Sequence, residues 1–91
     1  MSIEVLIQHR KTILKSGEKE MNAKGFVVDV ADGVHWSEHT FFSNISEVVD
    51  FCFTKYPSGI YYLNTNEGVY LKFWELYTKK QGNSTVSLSE E

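Results

Sequence analysis

Thr65-Asn66-Glu67-Gly68-Val69 lies between the apolar runs 60–63 and 69–74, and how it is read decides the fold. The chain carries a counterpart, Val30-Ala31-Asp32-Gly33-Val34, again with glycine ahead of valine between alternating apolar residues. A three-residue hairpin loop puts two residues in a type I turn and a third at positive φ, where glycine meets no steric penalty. Gly33 and Gly68 stand at that third place, so the pair predicts two β-hairpins.

Register follows from the pairing that keeps apolar side chains on one face. With residues 31–33 as the loop, Val30 faces Val34, Asp29 faces His35 and Val28 faces Trp36, leaving Phe26, Val28, Val30, Val34 and Trp36 inside. A two-residue loop mixes apolar and polar partners on both faces. A slip of one residue inverts every side chain, so the three-residue register is preferred. The same rule over residues 66–68 pairs Leu63 with Leu71 and Tyr61 with Phe73. Tyr61, Leu63, Val69, Leu71 and Phe73 then point inward, while Ile60, Tyr62, Asn64, Tyr70, Lys72 and Trp74 point outward. That is a heavy aromatic load for a solvated sheet face.

A helix separates the hairpins. Asn44 and Glu47 form a capping box, and Ile45, Val48, Val49, Cys52, Phe53 and Tyr56 share one helical face before Pro57-Ser58-Gly59 stops it. The opening segment has Ile3, Leu6, Ile7, Ile13 and Leu14 at helical spacing, with Ser2 as cap, Lys11 and Lys15 at the negative end and Gly17 as a left-handed stop. This predicts a helix over 3–16. The competing reading takes Ile3, Val5 and Ile7 as strand alternation and adds a strand to the sheet. Residues 17–24 read as polar linker.

The expected fold is α+β in the order α-β-β-α-β-β. Two hairpins make an antiparallel sheet of four strands, five if the opening segment is extended, packed with two helices. A single domain spans 1–80, and residues 81–91, rich in Ser and Glu, read as a disordered polar C-terminal tail. The two glycines lie 35 positions apart. Side-chain identity between the halves is poor, so shared turn chemistry accounts for the echo better than duplication does.

Ninety-one residues suit one core with little spare stability. A formal charge of −3 argues against a general nucleic-acid binder, which carries a basic stripe, and is too mild for a mimic of DNA. The lone Cys52 excludes an internal disulfide. No apolar run approaches the roughly 20 residues of a membrane span, and the first residues do not read as a signal peptide, so the expected location is cytoplasmic. The triplets Asn44-Ile45-Ser46 and Asn83-Ser84-Thr85 match a glycosylation acceptor that has no meaning there. Arg10 is the single arginine, and the preference for Lys, Asn, Ile, Phe and Tyr is that of an AT-rich gene, as in phages and mobile elements.

His35-Trp36-Ser37-Glu38-His39 matches the inverted zinc-peptidase motif H-x-x-E-H. That chemistry needs both histidines one helical turn apart. Here the pentapeptide alternates like a strand, which separates the histidines by about 13 Å. Two surface histidines are the plainer reading, with a weak metal contact through His35 and Asp29 as the residual one. Cys52 sits mid-helix on the apolar face as a structural thiol, and His9 on the flank of the first predicted helix. There is no phosphate loop, nucleophile elbow or Cys-x-x-Cys, so no catalytic residue, metal or cofactor is assigned.

The candidate site is therefore the outward face of the second hairpin: Tyr62, Asn64, Tyr70, Lys72 and Trp74. It could be second core under the first helix or the 17–24 loop, a surface for a protein partner, or a base-stacking face with Lys55, Lys72, Lys79 and Lys80 beside it. Central aromatics with few charges fit a protein partner best. The expected role is a small non-catalytic intracellular binding protein that occludes a partner surface, such as a phage or mobile-element inhibitor of a host enzyme or defence complex. A homodimeric structural or regulatory module and a single-stranded nucleic-acid binder are the alternatives.

Overall fold

Val5 and Ile7 alternate along one strand and are wholly buried, and that strand is the centre of the molecule. The computed structural model describes residues 3–32 and 35–88, except for the side chains of residues 16, 32 and 35–39. Its elements are β1 (Glu4–Ser16), β2 (Lys19–Asp32), β3 (His35–Phe42), α1 (Ile45–Lys55), β4 (Ile60–Asn64), α2 (Glu67–Lys79) and β5 (Thr85–Leu88). They form an α+β domain with one five-stranded mixed sheet in the order β3-β2-β1-β4-β5. β2 runs antiparallel to both neighbours, whereas β1 with β4 and β4 with β5 are parallel.

The opening segment is thus a strand, not a helix. Val5 sits between Val30 and Tyr61, and Ile7 between Val28 and Leu63. Burial on a two-sided ladder outweighs the helical spacing of the same residues. Ile13 and Leu14, two of the five residues in the apparent helical stripe, lie in the solvent-exposed part of β1. Gly17 does adopt positive φ, +64°, but as the first central residue of a two-residue turn that pairs Ser16 with Lys19. Glycine there matches a type II′ hairpin. The 17–24 segment is this turn and the start of β2, not a linker.

The first predicted hairpin forms, in another register. Ala31 opposes Trp36 and Asp32 opposes His35, with a bulge between Asp29 and Val30 that sets Asp29 opposite His39. Two residues, 33 and 34, separate the strands, where the pattern predicts three. The expected positive φ of Gly33 lies outside the described residues.

The second predicted hairpin is replaced by a strand and a helix. Asn66 accepts a hydrogen bond from the Val69 amide at 2.9 Å and so caps α2 instead of opening a turn. Val69, Phe73, Leu76 and Tyr77, spaced as a helical face, supply its inner side, with Phe73 and Tyr77 fully buried. α1 starts as predicted: the Asn44 side chain accepts from the Glu47 amide at 3.0 Å.

Part of the predicted tail is also structured. β5 pairs with β4 from Ile60 opposite Thr85 to Leu63 opposite Leu88. The Tyr77 hydroxyl donates to Ser84 Oγ at 2.8 Å, and Ser84 Oγ donates to the Pro57 carbonyl at 2.7 Å. Composition marks this stretch as weak by itself; an existing edge and two hydroxyls hold it. The strand total of five therefore arises from a different set than the sequence pattern suggests.

Both helices cover one face of the sheet. There Val5, Ile7, Phe26, Val28, Val30, Tyr61 and Leu63 meet Val48, Val49, Cys52, Phe73 and Tyr77 in a single cluster. Tyr61 packs at 5.4 Å from Tyr77 and 6.0 Å from Phe73, ring centre to ring centre. Its hydroxyl donates to the Cys52 carbonyl at 3.0 Å and also meets the Tyr56 carbonyl, closing the end of α1. Among the described residues, no helix is long and apolar enough to cross a membrane.

Candidate functional site

Strand alternation that turns Val5, Ile7, Tyr61 and Leu63 toward the helices turns Leu6, Gln8, Ile60, Tyr62 and Asn64 the other way. On this second face Leu6 opposes Tyr62 and Gln8 opposes Asn64, while β5 sets Ser87 beside Tyr62. All of these side chains are half-buried, and none belongs to the core cluster. Farther along the sheet the Phe41 ring lies over Gly25, where a Cβ would sit 2.5 Å from the ring, and Val27 beside it is buried. Among the described residues no element lies across this face. It is a shallow surface with Leu6, Ile60 and Tyr62 at its centre and amides at its margin.

Two of the five residues expected at the site, Tyr62 and Asn64, stand here. The other three are on α2, in the layer behind the sheet. Tyr70 donates weakly to the Val86 carbonyl of β5 at 3.4 Å. Lys72 lies 4.0 Å from the Glu75 carboxylate. Trp74 is 43% exposed and Leu71, one turn earlier, 53% exposed, so Leu71 is not the inward residue a hairpin requires. Alternation places the side chains of β4 correctly and those of α2 incorrectly, because a helix redistributes side chains that a strand alternates. Leu6, Gln8 and Ile60 complete the sheet face. The alternation Ile3, Val5, Ile7 is the signal that locates Leu6 there, once it is read as a strand.

The other chemically notable groups lie apart from this surface. Cys52 is buried on the inner side of α1, and burial pushes its thiol up to about 12, far from the range of a nucleophile. In the folded protein at pH 8 it is expected to react with a thiol reagent no faster than the chain unfolds, as mass spectrometry of alkylated protein would show; immediate labelling would mean the thiol is open. His9 stacks on Phe26 at 4.5 Å, and burial, aided by the charge of Lys24, holds its pKa below the usual value. Glu75 titrates lower than usual through its hydrogen bond from Lys79 and the charges of Lys72 and Lys79.

The H-x-x-E-H segment is strand β3 in its backbone, as its alternation predicts. Its register sets His39, not His35, opposite Asp29, so the contact considered for His35 and Asp29 is not between paired residues. The side chains of residues 35–39 lie outside the described residues. Among the described residues no three His, Cys, Asp or Glu side chains gather as metal ligands. Compared with protein-family models, with curated protein sequences and with solved structures, the chain matches none significantly.

Proposed function

We propose that the protein is a small non-catalytic binding protein that docks on a larger protein through the uncovered face of its sheet and acts by occluding the surface beneath. The supporting observation is that the parallel strands β1, β4 and β5 carry helices on one side only. Parallel strands are ordinarily covered on both faces, because each face is built apolar. Leu6, Ile60 and Tyr62 fit the apolar centre of an interface, and Gln8, Asn64 and Ser87 fit its polar margin. Action inside a cell as an inhibitor encoded by a phage or mobile element belongs to the same proposal, resting on residue usage alone.

Substitution separates the sheet face from the helix. Tyr62→Asp is expected to abolish co-purification of the partner while moving the thermal midpoint by only a few degrees, since Tyr62 lies outside the core cluster. Trp74→Ala, on the opposite layer, is expected to retain the partner. Loss with Trp74→Ala and retention with Tyr62→Asp would overturn the docking surface. The free protein is expected to be monomeric by light scattering. A dimer dissociated by Tyr62→Asp would move the reading to a homodimeric module.

A further inference from the structure

β1 and β2 run well past their neighbours. Pairing with β4 ends at Gln8 and pairing with β3 at Phe26, so residues 10–16 and 19–25 pair only with each other. At the rise of a strand this ribbon extends about 23 Å beyond the sheet. It holds five basic residues, Arg10, Lys11, Lys15, Lys19 and Lys24, against Glu18 and Glu20. That is a net +3 within a chain of −3, so the remainder carries −6. The modest overall charge conceals a polarised molecule.

The pairing within the ribbon sharpens this. Lys11 and Lys24 stand directly opposite each other. Like charges so placed destabilise a ladder. Among the described residues neither enters an ion pair; Lys15 alone of the five does, 3.8 Å from Glu20. Lys11 and Lys24, with Asn22 and Ala23, line an open cleft of about 380 Å³. A cleft lined by two lysines and an asparagine, with no carboxylate among its lining residues, suits a phosphate group.

The geometry points to the ribbon as a nucleic-acid-binding arm that lies in the groove of a duplex, with Lys11 and Lys24 holding a backbone phosphate between them. A two-stranded ribbon is of a width that the major groove admits. Single strands are held by aromatic stacking, and residues 10–25 contain no aromatic residue. Protein interfaces favour arginine and deplete lysine, whereas four of these five cations are lysines. Ile13, opposite Asn22 and so on the same face of the ribbon as Lys11 and Lys24, is 57% exposed and suited to apolar contact with base edges such as the thymine methyl. The acidic body turns the arm toward the polyanion.

Fluorescence anisotropy of the full chain with a labelled duplex oligonucleotide tests this. Binding is expected at low salt, with log K falling against log salt at a slope of about −3 to −4, the signature of three to five phosphate contacts. Lys11→Gln with Lys24→Gln, which removes the one phosphate the two share, is expected to flatten that slope by about 1 and to leave the thermal midpoint unchanged or slightly raised. Lys72→Gln with Lys79→Gln, on α2, is expected to change neither. Absence of binding at the lowest salt, equal loss in the α2 pair, tighter binding of the single strand, or equal binding of polyglutamate would each overturn the proposal.

Discussion

Tyr61→Ala is expected to destabilise the fold by about 3–5 kcal/mol, the cost of removing a large buried aromatic side chain. A domain of this length holds roughly 5–14 kcal/mol in all, so the substitution consumes a large share of it. At about 4–8 °C per kcal/mol, the thermal midpoint should fall by about 12–40 °C. The reason is position. Tyr61 stands on β4 opposite Val5, its ring joins Phe73 and Tyr77 from α2, and its hydroxyl caps the end of α1 through the Cys52 and Tyr56 carbonyls. Tyr61→Phe keeps the ring and removes only the donor; the Cys52 and Tyr56 carbonyls still accept from the Tyr56 and Gly59 amides, so the cost is that of an ordinary hydrogen bond, about 0.5–1.5 kcal/mol. Urea unfolding of the three proteins separates the two contributions; equal costs for Ala and Phe would show that the ring is not core.

The same phenol gives the fold a pH dependence at the alkaline end. Burial, then the neighbouring Cys52 and Tyr77, push its pKa above the ordinary 10. The unfolded chain therefore releases this proton first, and stability contributed by neutral Tyr61 is present below pH 10 and lost as pH rises beyond it. Tyr61→Phe should show a shallower alkaline decline than the parent.

Where local signals and tertiary burial agreed, the sequence was legible. Asn44 and the spacing of Val48, Val49 and Cys52 specify α1 from its own residues, and the structure keeps Asn44 as the cap that accepts from the Glu47 amide and those three on the buried side. Tyr61 and Leu63 read correctly as the inner side of β4, as did Phe26, Val28 and Val30 on β2. Where one stretch satisfies two periods, the local pattern points to the period the fold does not use. Residues 3–14 fit a helix by Ile3, Leu6, Ile7, Ile13 and Leu14 and a strand by Val5 and Ile7; only the neighbours Val30 and Tyr61, far away in sequence, select the strand. Val69, Leu71 and Phe73 alternate, but Val69, Phe73, Leu76 and Tyr77 recur at helical spacing, and Asn66 is as good a cap as a turn residue. The candidate site was legible in half. Tyr62 and Asn64 follow from β4 alternation, whereas Leu6 required β1 to be a strand and Trp74 required a hairpin that does not form.

β5 supplies the second large effect. Removing residues 83–91 is expected to cost about 2–4 kcal/mol, the sum of uncovering the core side chains that Val86 packs against and of losing side-chain hydrogen bonds worth about 1 kcal/mol each. Val86 packs against the core cluster, Tyr77 loses its Ser84 partner, and the Pro57 carbonyl loses the Ser84 hydroxyl. Gly82 makes the entry to β5 possible: a Cβ there would sit 2.1 Å from the Tyr77 ring, so the chain passes flat against that ring before Ser84. A tail that merely trails in solvent would leave the midpoint unchanged, so thermal unfolding of the shortened chain decides between the two. The shortened chain also bares β4 as an edge, with Ile60, Tyr62 and Leu63 along it. An uncovered apolar edge strand invites pairing with another copy. Light scattering is therefore expected to rise with concentration for the shortened chain and not for the parent, and equal scattering from both would mean that β5 does not shield this edge.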